Sequence, residues 1–202
     1  MADLKKSILF LLTFSLLGVG FTGFIGSFFV NRYGLMLNKE MPLFDIEGIV
    51  VDHGENIYVA TLAYGRIQVY NKSGQFKRSW HVEAGGGAFK MMLQNKDIVV
   101  VTARGDKKIT YDLHGNVISQ TKRPQTYSYY NKFPSSSFET ENGDLYEVRG
   151  WIFSEITKNN QTIMRQHIYL GLLNPILSWL FSFVSILILI RLKKGNWKVW
   201  RQ

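Results

Sequence analysis

The chain contains no cysteine. That excludes disulfides, thiolate nucleophiles and cysteine-based metal sites, so any domain here is held together by its own core. Catalytic signatures are missing as well. His53, His81, His114 and His167 are scattered, and no Ser/His/Asp order or motif joins them to a nucleophile. Gly85-Gly86-Gly87 leads into Ala88-Phe89-Lys90 rather than the Gly-Lys-Ser/Thr of a phosphate loop, and reads as a connection. Asp52-His53-Gly54-Glu55 matches neither an EF-hand loop nor H-E-x-x-H, and reads as a turn capped by Asp52. No catalytic, cofactor or metal site is therefore expected.

Acid is scarce at the two ends. The net charge is +9, but seven of the 24 basic residues (Lys5, Lys6, Arg191, Lys193, Lys194, Lys198 and Arg201) flank long apolar runs, with only Asp3 of the 15 acidic residues among them. That leaves 17 against 14 in between, a nearly balanced domain. A diffuse excess of this kind is not a nucleic-acid footprint, and no nucleic-acid partner is expected.

The apolar runs themselves are long. Ser7–Asn31 is 25 residues without charge and Gln166–Ile190 another 25 with His167 neutral. A helix of that length spans about 37 Å, enough for a bilayer core of about 30 Å. The first run lacks an A-x-A-like cleavage site and reads as an uncleaved anchor. The second contains Pro175, which either kinks the helix or marks its start. Basic flanks and Trp197 and Trp200 place both termini on the cytoplasmic side, with the middle outside a cell membrane. Small residues form two stripes: Ser15, Gly18, Thr22 and Gly26 on the first helix, and Gly171, Asn174, Ser178, Ser182 and Ser185 on the second. Such stripes let helices approach closely, and their simplest pairing is with each other. The resulting order is a cytoplasmic N-terminus (1–6), a first span (7–31), an extracytoplasmic domain (32–166), a second span (167–190) and a basic tail (191–202).

The middle is organised by Phe44–His81. Ile49–Val51, Ile57–Thr61, Ile67–Tyr70 and Phe76–Trp80 are rich in β-branched and aromatic residues, separated by Asn/Gly/Asp turns. Weaker copies follow, in Asp97–Val101 with Ile109–Gly115 and in Asn142–Val148 with Ile156–Asn160. Gly74 to Gly115 is 41 residues, as is Ile57 to Ile98, whereas Tyr111 to Ile156 is 45. Three four-stranded units are expected, at about 44–81, 86–122 and 133–166. The pattern G-I-V-V-D, N-I-Y-V-A, R-I-Q-V-Y-N-x-x-G resembles one blade of an NHL-type β-propeller repeat. The fold expected is thus mainly β, a partial propeller of tandem four-stranded units between two transmembrane helices. Three units fall short of the four to eight that close a ring, leaving an open stack or two chains joining three blades each.

The resemblance implies a domain that binds partners rather than one that catalyses. The most unusual stretch is Arg123–Phe138, in which Tyr127, Tyr129, Tyr130 and Phe133 stand among serines and two prolines. A long aromatic connection of this kind is a candidate partner contact. The function expected is a binding or scaffolding module of a bacterial cell envelope, an accessory subunit of a membrane assembly. Its partners would be the lipid bilayer and a membrane protein or a second copy of the chain. A sensor is the alternative. An envelope-acting hydrolase would draw on Asp52, Glu55, Asp106, Asp112, Glu139 and Glu141, among which no pairing is evident.

Overall fold

The computed structural model describes residues 2–122, 136–150 and 152–199. Among these, strands form three four-stranded antiparallel sheets, each a meander of consecutive strands. The first holds β1 (Ile46–Val51), β2 (Ile57–Thr61), β3 (Arg66–Tyr70) and β4 (Phe76–His81). The second holds β5 (Phe89–Gln94), β6 (Asp97–Thr102), β7 (Lys107–Tyr111) and β8 (Val117–Lys122). The third holds β9 (Ser137–Glu139), β10 (Leu145–Arg149), β11 (Glu155–Lys158) and β12 (Gln161–Arg165).

Local chemistry closes the hairpins. The Oδ1 of Asp52 accepts from the amides of Gly54 and Asn56 at 2.8 and 2.9 Å. Asn71 does the same for Ser73 and Gln75, and Asp112 for His114 and Asn116. In each case a side-chain oxygen satisfies amides two and four residues on, which the turn would otherwise leave unpaired. Gly74 and Gly115, 41 residues apart, hold φ of 74° and 94° at the same place in two turns. Both are preceded by a register shift, at Val69/Tyr70 and Thr110/Tyr111. The third sheet instead turns through Asn159 and Asn160, with φ of 51° and 66°, a two-residue hairpin.

Strand alternation then decides the stacking. Val50, Tyr58, Ile67 and Val69 of the first sheet pack with Phe89, Ile98, Val100, Ile109 and Tyr111 of the second. The alternate residues Ile49, Val51, Ile57, Val59 and Tyr70 pack with Tyr146, Val148 and Ile156 of the third. The first sheet is therefore the middle of the stack, covered on both faces, and β2 and β3 are buried at every residue.

A feature not foreseen is the strap from Gly34 to Leu43 that leads into β1. Its backbone is held by side chains of the sheets. Arg66 donates from Nη2 to the Leu35 carbonyl (2.5 Å) and from Nη1 to that of Met36 (3.0 Å). Ser79 donates to Leu37, and Gln68 exchanges two bonds with Met41. Leu43 donates to Gln166 Oε1 and accepts from Ser154. Gly34, at φ 59°, closes the helix that precedes the strap through the Leu35 amide to Val30 carbonyl bond.

That helix is α1 (Ala2–Tyr33). It contains Ser7–Tyr33, 27 residues with an 18-residue window of mean hydropathy 2.2, long and apolar enough to cross a membrane. In the second apolar run Pro175 marks a helix start, one of its two expected roles, so 167–190 is not one continuous helix. A short α2 (Ile168–Leu172) ends before Asn174, and α3 (Pro175–Val199) starts anew, with Asn174 Oδ1 accepting from the Ile176 amide. Asn174 is an N-cap and Pro175 the first helical residue, where its missing N–H costs nothing. The apolar part of α3 is Pro175–Leu192, 18 residues of mean hydropathy 2.1.

The two long helices form a unit of their own with a small-residue interface. An added Cβ at Gly20 would come within 2.6 Å of the Ser178 carbonyl and Ser182 Oγ, and one at Gly23 would collide with Ser178. Ser178, Ser182 and Ser185 thus lie on the packed side of α3, Ser178 and Ser185 being buried. On α1 the structure corrects the expected pairing. Thr13, Gly20 and Ser27 are buried at a seven-residue spacing, whereas Ser15, Gly18 and Thr22 are exposed and Gly26 half-exposed. Nothing lies within 4 Å of an added Cβ at Gly18 or Gly26. The sequence holds two small stripes about two residues out of phase, and Gly20-x-x-Gly23 is the one that admits the partner backbone. Gly171 belongs to α2 and packs on the Phe153 ring.

Candidate functional site

The inner strands of the three sheets converge. β1 lies beside β5, β9 and β10. It runs in the same sense as β5, since Glu47 meets Lys90 and Gly48 lies against Met91. A Cβ at Gly48 would stand 2.8 Å from the Met91 carbonyl oxygen, so this approach requires glycine. Between the strands a cavity of about 460 Å³ is walled by Ile49, Val50, Met91, Leu93, Phe138 and Leu145 among others. A more polar recess of about 550 Å³ shares Leu93, Phe138 and Glu139 with it. Together they make one cleft, apolar within and polar at its mouth, of a size that suits small ligands.

The mouth is built by the first hairpin turn of each sheet: Asp52, His53 and Glu55; Asn95 and Lys96; Thr140, Glu141, Asn142 and Asp144. Burial acts to raise the Asp52 carboxyl, but hydrogen bonds from Asn56, Tyr58 and Gly54 outweigh it and hold the group below the usual range. Glu55 pairs with Lys158 (3.5 Å) and Lys72 (3.7 Å). Lys158 also meets Asp144 at 2.8 Å and stands over the Tyr146 ring, and its hydrogen bond lowers the Asp144 carboxyl. Glu139 and Glu141 are exposed and have no ion-pair or hydrogen-bond partner among the described residues. At the other end, Lys90 and Glu47 form an ion pair at 3.2 Å with side chains 13% and 10% exposed. Burial raises Glu47 and Asp45, against the pull of Lys90.

Of the carboxylates that the sequence offers without a pairing, Asp52, Glu55, Glu139 and Glu141 line this one mouth. Asp106 and Asp112 stand in turns of the second sheet and do not. Asp52 is engaged as a turn cap and Glu55 by two lysines. Among the described residues no three His, Asp or Glu side chains are grouped as a metal ion requires. Tyr127, Tyr129, Tyr130 and Phe133 lie outside the described residues. Sequence reasoning missed Phe138 and Leu93 as cleft residues. They come from β9 and β5, and only stacking order brings them together. The one signal was Gly48 inside an otherwise β-branched strand, where glycine marks close backbone approach.

These observations define a mainly β protein of four-stranded antiparallel units with two apolar helices able to span a membrane. No family description and no curated protein sequence matches the chain. Solved structures similar to it include virginiamycin B lyase from Staphylococcus aureus, at 13% identity and TM-score 0.36, over 62% of this chain and 41% of that one. A streptogramin B lyase is 17% identical at TM-score 0.37, over 64% and 42%. An exported protein from Bacteroides fragilis is 12% identical at TM-score 0.33, over 60% and 37%. The chain spans about two fifths of the length of these structures.

Proposed function

We propose that the chain is a membrane-anchored binding protein. Its β module lies outside the cell, its termini are cytoplasmic, and its cleft takes a small ligand or a side chain of a partner. The observation that carries this reading is the convergence of three first-hairpin turns around an apolar cavity, in a module whose two chain ends lead into apolar helices. Basic residues at the far ends of both helices support the orientation. The likeness of the first unit to an NHL-type blade supports binding rather than catalysis, a fold-level analogy. So does the engagement of Asp52 and Glu55 in turn and ion-pair contacts. The tyrosine-rich segment between β8 and β9 is a second candidate contact on sequence grounds. The partner would be a membrane protein to which this chain is an accessory subunit, or a second copy of the chain.

The test has two arms. In the cysteine-free chain, Lys96→Cys should react with a membrane-impermeant maleimide on intact cells, and Lys198→Cys only after lysis; the reverse pattern overturns the orientation. Purification from native membranes in mild detergent should yield a stoichiometric partner. That partner should be lost with Leu93→Asp or Phe138→Asp but kept with Glu155→Gln, outside the cleft. Capture unchanged in the Leu93 and Phe138 variants would remove the cleft from the function.

A further inference from the structure

Apart from Val117 and Ile118 on β8, the large apolar side chains that the β module exposes among the described residues stand in two places, one after the first apolar helix and one before the second. After α1 come Tyr33, Leu35 and Met36, exposed at 64%, 48% and 54%. Before α3 stand Phe153, packed on α2, and Ile168 and Tyr169, exposed at 56%, 71% and 59%. α2 is two-faced: Leu170 and Gly171 are buried against the module, while Ile168 and Tyr169 point out. Five of these groups lie in two short segments and Phe153 joins them by packing on Gly171; their exposure to water is costly, each worth about 1–2 kcal/mol on burial.

Their distance from the helices says what covers them. Met36 is three residues beyond Tyr33, the end of the first apolar stretch. Ile168 is seven residues before Pro175, five of the intervening positions lying in or beside the compact α2. At about 1.5 Å per helical residue and 3.5 Å per extended one, both segments stay within roughly 15 Å of the point where the chain leaves the hydrocarbon. The apolar stretch of α3, 18 residues, is about 27 Å long, slightly short of a bilayer core of about 30 Å. A short span draws its flanking apolar residues into the interface rather than leaving them in water. Aromatic side chains prefer that depth, and the exposed Arg32 and Lys39 on the same segment are placed for lipid phosphates.

We propose that Tyr33, Leu35, Met36, Phe153, Ile168 and Tyr169 form a lipid-facing belt by which the β module rests in the headgroup region, with α2 as an interfacial helix. This deepens the membrane reading above and rests on it. The belt gives Arg32 and Lys39, which run against the charge rule for an outer segment, a reason to be there.

The experiment uses the full chain in vesicles of phosphatidylcholine with phosphatidylglycerol. Nitroxide labels are attached to the single-cysteine variants Leu35→Cys, Ile168→Cys and Tyr169→Cys, with Phe14→Cys as the apolar-helix reference and His114→Cys as the aqueous one. Collision with oxygen is compared with collision with a water-soluble nickel chelate. The belt labels should favour oxygen over nickel several-fold relative to His114, short of the ratio at Phe14. Belt labels that match His114 overturn the proposal while leaving the spans intact. Belt labels shielded from both reagents overturn it in favour of a protein partner. A Phe14 label that reads as aqueous overturns the membrane reading itself.

Discussion

The first and second sheets are built to one plan, yet their equivalent strands meet different surroundings. Arg66, Gln68 and Tyr70 of β3 stand 41 residues before Lys107, Ile109 and Tyr111 of β7, with the same pairing register to the strand that follows. In the second sheet this face lies on the first sheet, and Ile109 and Tyr111 join a hydrophobic core. In the first sheet Tyr70 meets the third sheet, but Arg66 and Gln68 meet the strap. A face covered by side chains is apolar. One covered by another segment's backbone needs donors and acceptors, because buried peptide groups must be paired. Stacking position, not strand pattern, sets the chemistry of the face.

Exchanging the two environments has the largest expected effect at Arg66. Its guanidinium is buried with no carboxylate paired to it among the described residues, and burial lowers it to about 10. It is held by two successive carbonyls of the strap. Arg66→Ala is expected to cost roughly 3 kcal/mol of unfolding free energy, since it leaves those carbonyls without their donor and a void beneath them. Arg66→Lys, which installs the second sheet's residue, should recover only part, because one ammonium cannot fork to both carbonyls. Lys107→Ala, at a long, partly exposed pair with Glu83, should change stability by less than about 0.5 kcal/mol. Thermal unfolding of the full chain in mild detergent reads all three. Equal losses at 66 and 107 would break the comparison. Gln68→Ala should follow at about 2 kcal/mol, with the Met41 amide and carbonyl both losing their partner.

Much of the plan was legible in the sequence. β2 and the turns at Asp52, Gly74 and Gly115 stand where β-branched runs and Asn/Gly/Asp breaks put them, because turn chemistry is local. The 41-residue spacing announced the copies. Arg66 and Gln68 were not legible as anchors. A polar residue in an alternating strand reads as the solvent side, and nothing local says that a strap will cover it. The cleft was illegible for the same reason, since Asp52, Leu93 and Phe138 lie on three sheets whose order in space is not their order in the chain. On α1 the sequence held two small stripes, and only α3 could choose between them.

A smaller effect separates the two turns capped by aspartate. Asp52 accepts from Tyr58 (2.8 Å) as well as from its own turn, whereas Asp112, among the described residues, accepts from its own turn alone. Both carboxyls are held below the ordinary value of 3.8, Asp112 by its Asn116 bond first and Asp52 by its bonds against burial. A lowered folded pKa means that the stabilisation is present above the unfolded value and lost as pH falls through the folded one. Asp52→Asn should therefore cost about 1 kcal/mol at neutral pH, the partial exposure of the group limiting it. That deficit should shrink below about pH 4. Asp112→Asn should cost less at every pH. Stability profiles of the two variants from pH 7 to pH 3 give the comparison, and a deficit at Asp52 that widens on acidification would contradict the assigned sign.

The smallest expected effect lies on the outer strands. Phe76 of β4 sits where Val117 of β8 does in the second sheet, each opposite a tyrosine across the register shift. Phe76 packs edge-on against Tyr70, 6.0 Å between ring centroids, and joins the core between the first and third sheets. Val117 and Ile118 are 59% and 56% exposed on a strand that is exposed throughout. Val117→Ser and Ile118→Ser should each stay within about 0.5 kcal/mol of the parent in mild detergent. An exposed edge strand whose one charge, Lys122, stands at its end is also the place where a second copy would add its own strand. A loss well above 1 kcal/mol that grows with protein concentration would mean that β8 is covered in solution, and would turn the open stack of three sheets into half of a larger assembly.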